Sequence, residues 1–148
     1  MTTVFEALRH EHDKHRTLLD LVAKTKGDSE GRRELFAKLK TELIDHARAE
    51  ERSFYSELID KPQAQDKATH SIAEHKEIED LLEELEDMDF SSSQWLPRFE
   101  HLKERVEHHE AEEEHEVFQV AGKVLSDDQK TQLATRHEKE MAVERDNR

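Results

Sequence analysis

Residues 46 to 55 read HARAEERSFY, and residues 109 to 118 read HEAEEEHEVF. Aligned, both run His, three residues, Glu-Glu, two residues and a pair of large apolar side chains: His46, Glu50, Glu51, Phe54 and Tyr55 against His109, Glu113, Glu114, Val117 and Phe118. An imidazole and a carboxylate four residues apart share one face of an α-helix, about 40° and 6 Å from each other. One such pair alone is ordinary surface charge patterning. Two of them, each in phase with apolar residues, offer imidazoles and carboxylates to a common interior.

Other stripes add to the supply. His12 and His15 lie in phase with Leu8, Leu19 and Val22, and His75 lies in phase with Ala68, Ile72, Ile78, Leu82 and Leu85. Burying several carboxylates and imidazoles with no cation costs several kcal/mol for each charged group. A chain that is only 33% hydrophobic has little with which to offset that. A cation reverses the sign, because neutral imidazole and carboxylate are ligands for Fe, Mn, Zn and Cu. The candidates His12, His15, His46, Glu50, His75, His109 and Glu113 outnumber the three or four protein ligands of a single zinc site. Two metals bridged by Glu50 and Glu113 fit the count.

Other chemistries are excluded by pattern. The chain has no Cys, which removes disulfides, thiolate metal sites, iron-sulfur ligation and cysteine nucleophiles together. No HExxH occurs, so a helical zinc protease is out. The ferritin-like di-iron plan needs two Glu-x-x-His motifs, and the one present, Glu112 to His115, is off the apolar stripe. A net charge of −14 with no basic stripe argues against nucleic acid and anionic membrane as partners, since both need clustered Lys and Arg. The start, MTTVFEALRHEH, lacks a basic stretch followed by an apolar one, and no long apolar run occurs, so a soluble cytoplasmic protein is expected.

These side chains must be positioned by helices. Only three Gly and two Pro interrupt 148 residues, and they fall where helical periodicity stops. The first helix is predicted from about Val4 to Lys24, ending at Gly27. The second runs from Ser29 or Glu30 to about Ile59, closed by Pro62, with Leu39, Leu43, His46, Glu50 and Phe54 on one stripe. The third spans about Gln65 to Met88. The fourth runs from Gln94 to Val124, with Phe99, Leu102, Val106, His109, Glu113, Val117, Val120 and Val124 facing inward and Pro97 in its first turn. Short loops predict an all-α, antiparallel up-down-up-down four-helix bundle over residues 1–125. Ser126, before two Asp, is a good N-cap for an extra C-terminal helix to about Arg145. Its thin stripe of Leu133, His137 and Met141 makes residues 126–148 read as an appended tail.

A bundle with His on its first helix, HxxxE on the second, His on the third and HxxxE on the fourth resembles the hemerythrin-like, or HHE, cation-binding domain family. The resemblance covers about residues 4 to 124 and rests on EHDKHRTLL, HARAEERSFY, AEHKEIEDLL and HHEAEEEHEVF in combination. It implies a non-haem di-iron centre, oxo- or hydroxo-bridged, with His12, His46, His75 and His109 as terminal ligands and Glu50 and Glu113 as bridges; Zn and Mn rank behind iron. His15, one turn beyond His12, is a further candidate. Oxygen-carrying hemerythrins take two His four apart from the third helix, whereas the neighbour of His75 here is His70, five away and rotated by about 140°. That makes His15 the better candidate for a fifth imidazole.

The remaining residues receive plainer readings. His10, His101, His108, His115 and His137 are expected to face solvent or support the site, and Glu51, Glu79 and Glu114 are candidates to accept hydrogen bonds from ligating imidazoles. The implied function is binding of O2, or reaction with peroxide or nitric oxide, at the metal pair, with enzymatic turnover left open. The alternative is an iron-responsive regulatory or iron storage module whose tail passes a signal to a protein partner.

Overall fold

The computed structural model describes residues 2–147. Helix α1 spans Val4–Ala23. Its start is set by Thr3, whose hydroxyl accepts from the Glu6 N–H while the Glu6 carboxylate accepts from the Thr3 N–H, a reciprocal capping box. Gly27, at φ 59°, takes the left-handed conformation that reverses the chain, and the Ser29 hydroxyl then caps α2 (Glu30–Glu50).

The second rod does not remain α-helical. At Glu51–Tyr55 it widens into a π-turn and resumes as α3 (Ser56–Leu58). Helix α4 is Gln65–Asp87. The fourth rod, α5 (Trp95–Glu112), carries Pro97 in its first turn, where a missing N–H costs nothing. It widens in the same way at Glu113–Val117 and ends as α6 (Phe118–Val124). A second capping box, between Ser126 and Gln129, starts α7 (Asp127–Asp146). The result is an antiparallel up-down-up-down four-helix bundle with an extra C-terminal helix, and no strand occurs among the described residues.

The apolar interior is split in two. At one end Leu19, Val22, Phe36, Leu82, Trp95 and Phe99 are among the side chains that pack together. Trp95 stacks on Phe99 at 5.4 Å and donates its indole N–H to the Leu85 carbonyl at 3.0 Å, so its polar edge is satisfied. At the other end Val4, Leu8, Phe54, Tyr55, Leu58 and Phe118 form a second cluster. The predicted histidines and carboxylates occupy the layer between.

Helix α7 lies against α1, α2 and the first π-turn. Leu133 and Ala134 enter the second apolar cluster, and His137 and Met141 are buried. Arg52 of the π-turn is paired with Glu144.

Candidate metal centre

Six of the seven candidates meet in the middle layer. Their ligand atoms fall into two groups, His12, His46, Glu50 and Glu113 on one side and Glu50, His75, His109 and Glu113 on the other, with the atoms of each group within 4.8 Å of one another. Glu50 and Glu113 belong to both groups. All six are buried, and Glu50 and His12 are completely so.

The seventh candidate stands apart. His15 is buried with its ring 4.8 Å from that of His46, yet it belongs to neither group. Its Nδ1 is 2.7 Å from Glu110 Oε2, a buried ion-pair geometry on the flank of the centre.

The rings are aimed by a relay of carboxylates. His46 Nδ1 is 2.5 Å from Glu11, His75 Nδ1 is 2.7 Å from Glu51, His109 Nδ1 is 2.7 Å from Glu74, and His12 Nδ1 is 2.7 Å from Glu114. Each rod thus lends a carboxylate to the histidine of the next, in a closed ring around the bundle. Holding Nδ1 this way turns Nε2 inward and fixes the ring's tautomer. Glu51 and Glu114 were expected in this role. Glu79 was also expected, but it lies 3.6 Å from Arg48 instead. Glu11, Glu74 and Glu110 were missed, although each adjoins a candidate in sequence: Glu11 precedes His12, Glu74 precedes His75 and Glu110 follows His109. A one-residue step turns a side chain about 100° around its helix, toward the neighbouring rod.

Most of the inward atoms make no hydrogen bond. Nε2 of His12, His75 and His109, both oxygens of Glu50 and Oε1 of Glu113 are buried without a hydrogen bond. His12 Nε2 and His75 Nε2 each approach an inward carboxylate oxygen to 3.1 Å without bonding it. Orphaned acceptors and lone pairs at this density are costly unless a cation satisfies them. The other oxygen of Glu113 accepts from the buried Tyr55 hydroxyl, which locks that carboxylate from the second π-turn to the first. π-turns concentrate at functional sites, and here both begin one residue after, or at, a shared carboxylate.

Electrostatics agree with cation binding. Burial, and then the nearby Glu113, push the Glu50 carboxyl well above its usual range. Burial pulls His46 and His15 down to about 3, keeping their imidazoles neutral. His12 goes the other way: burial is the largest influence, but the carboxylates of Glu113 and Glu114 outweigh it and raise the ring to about 10.

The sequence model for the hemerythrin HHE cation-binding domain matches residues 3–142. The chain belongs to that family. It is similar to the crystal structure of a hemerythrin HHE cation binding domain-containing protein from Mycobacterium kansasii, with 25% identity, a TM-score of 0.89, and coverage of 99% of this chain and 90% of that one. No curated protein matches it significantly. The family match runs to residue 142, within α7, and the structural likeness covers nearly the whole chain. For an HHE domain, the convergence of unpartnered imidazole and carboxylate atoms fits a bound cation, and donors from all four rods would share the load.

A cavity of about 260 Å³ opens between α2 and α4 onto this layer. Its walls include Leu43, Ile44, Ile72 and Leu82, and His46, His75 and His109 also line it. Nothing in the sequence announced it, because it arises where side chains of two rods fail to meet. Among the tail residues, His137 Nε2 is 2.9 Å from Glu11 Oε1, the atom that also faces His46.

Proposed function

We propose that the protein is a hemerythrin-like non-haem di-iron protein that binds O2, or reacts with peroxide or nitric oxide. The observation that carries this reading is the membership of Glu50 and Glu113 in both ligand groups, which is what a bridged metal pair requires. His12 and His46 would hold one ion and His75 and His109 the other, with Zn or Mn as lesser alternatives to iron. Iron bound there would supply redox chemistry and a coordination position for a small ligand.

The chain's own residues set the conditions. Leu43, Ile44, Ile72 and Leu82 give a small neutral molecule an apolar way to the histidines, with the charged Arg48, Lys76 and Glu79 also on the cavity wall, and its volume of about 260 Å³ suits a small ligand better than a drug-sized organic substrate. The Tyr55 hydroxyl, donating to Glu113, holds a proton at the edge of the centre. No helix among the described residues is long and apolar enough to cross a membrane; a cytoplasmic site of action is part of the proposal and rests on composition.

The test is metal analysis of anaerobically purified, iron-reconstituted protein, with visible spectra before and after air, peroxide and nitric oxide. The expected result is about two iron ions per chain and a spectrum that responds to at least one of these ligands. One zinc per chain with no iron uptake would sink the di-iron reading.

A second reading, an iron-responsive regulatory or storage module, is favoured by the path from His137 of α7 through Glu11 to His46. A sensor should release α7 when mild chelation removes the metal. A ligand-binding protein should keep α7 docked and lose only its spectrum.

A further inference from the structure

A second His and Glu constellation lies on the outside of the bundle, where α4 packs on α5. Helix α4 contributes His70 and Glu74, and α5 contributes His108 and Glu112, each pair four residues apart and therefore on one helix face. His70 Nε2 is 3.0 Å from Glu112 Oε1 and 3.4 Å from Glu74 Oε2, and His108 Nε2 is 3.1 Å from Glu112 Oε2. Ligand atoms of His70, Glu74 and Glu112 all lie within 4.8 Å of one another, while His108 stands beside this group, on the far oxygen of Glu112. The origin is a doubling in the sequence. His108-His109 and Glu112-Glu113 are two HxxxE pairs in adjacent registers, rotated by about 100°; the second faces the core, and the first faces α4.

We propose that His70, Glu74 and Glu112 form a surface site for one divalent transition cation of the zinc class, separate from the core centre, with the half-exposed His108, which faces the other oxygen of Glu112, swinging in as a fourth donor. Two imidazoles and two carboxylates are a donor set that Zn2+ takes in four-coordinate sites, whereas Ca2+ and Mg2+ prefer oxygen alone. Simple ion pairing accounts for the cluster less well. Both imidazoles aim Nε2 at the same carboxylate, and two protonated rings there would repel each other while exposed pairs return little. A shallow cavity of about 170 Å³, bordered by His70, Glu112, Asp66 and Glu116, gives the cation room to approach and adds negative charge around it.

Two cationic neighbours bear on the site. Lys67 also borders the cavity, and Arg105 Nη2 is 3.7 Å from Glu74 Oε2. Arg105 has a closer partner in Glu77, at 3.0 Å from its Nε, and can remain there while a cation takes Glu74 Oε2. Glu74 is the buried member of the set, and its other oxygen faces His109 Nδ1 at 2.7 Å. One carboxylate therefore separates the surface site from the core.

The test does not depend on which metals fill the core. Purified protein is analysed for core metal, then titrated with Zn2+ by calorimetry, and bound metals are counted again after gel filtration. The expected result is about one added Zn2+ per chain with core content unchanged, and binding at least about tenfold weaker in His70→Ala and in His108→Ala. Both side chains are half exposed, so neither variant should disturb the fold. No added Zn2+ in the metal-loaded protein, or undiminished binding in the double variant, overturns the proposal.

Discussion

Glu50 and Glu51, neighbours in the chain, face the two nitrogens of one ring: Glu51 Oε2 is 2.7 Å from His75 Nδ1, and Glu50 Oε1 is 3.1 Å from His75 Nε2. Glu113 and Glu114 repeat the arrangement on His12, at 3.1 Å and 2.7 Å. The repeated Glu-Glu of the sequence is therefore a division of labour, with one carboxylate turned to the centre and the next turned to the back of a ring on the adjoining rod.

That division predicts different losses. Glu51→Gln should keep the metals bound but weaken affinity about 10- to 100-fold, as loss of an orienting carboxylate does. Glu50→Gln, with the shared carboxylate gone, should empty both positions. Glu79→Gln, whose carboxylate lies 3.6 Å from Arg48 instead of a ring, should bind like the parent. Competition against a chromophoric chelator ranks the three.

Metal uptake should release protons. In the protein groups alone, His12 is raised to about 10, so it carries a proton at neutral pH that it must lose to act as a ligand, and the upward shift of Glu50 adds to the competition from protons. A raised pKa means that protons compete across the range below it, so affinity should climb as pH rises from about 6 to 9. Titration calorimetry in buffers of differing ionisation enthalpy reads the release directly; heats independent of buffer would contradict it.

His15→Ala should retain the metal pair, whereas His12→Ala should lose metal from its side of the centre. The structure adds a cost to the first substitution: Glu110, buried and facing His15 Nδ1 at 2.7 Å, is left without that partner. An unsatisfied buried group costs about 1–3 kcal/mol. Urea unfolding of the metal-loaded variants, with metal analysis alongside, separates the two roles.

The docking of α7 is tested by His137→Ala and by a chain ended at residue 125. Glu11 sits between His137 and His46; burial works to raise its carboxyl, but hydrogen bonds to the two rings outweigh that and hold it below the carboxylate range. Removing His137 should weaken metal retention and leave the fold intact by circular dichroism. Ending the chain at 125 removes Leu133, Ala134 and Met141 from their buried positions and should lower the melting temperature further.

Helices and inward residues were legible because their information is local. The three- and four-residue steps of Leu39, Leu43, His46, Glu50 and Phe54 define a face whatever the partner rod is, and of these five all are buried. What could not be read depends on how rods dock. Glu11, Glu74 and Glu110 look like ordinary surface acids until the register of a neighbouring helix brings a ring nitrogen to them. His137 sits on a weakly patterned helix, and only the packing of α7 on α1 and α2 buries it. The π-turns are invisible for a related reason: ERSFY and EEHEV carry no glycine or proline to mark a widened turn, and the extra residue is accommodated by what the turn faces.

The layered interior gives the molecule a seam. One apolar cluster lies toward each end of the bundle, and between them stands a belt of imidazoles and carboxylates whose inward atoms mostly lack hydrogen bonds when bare. Each end can therefore hold together on its own packing, while the middle depends on what it binds, so the cation acts as a rivet between two separately cohesive halves. Amide protons near the belt, on residues 46–51 and 109–114, then exchange by local opening at the seam, and those around Trp95 and Phe54 exchange only when a whole half lets go.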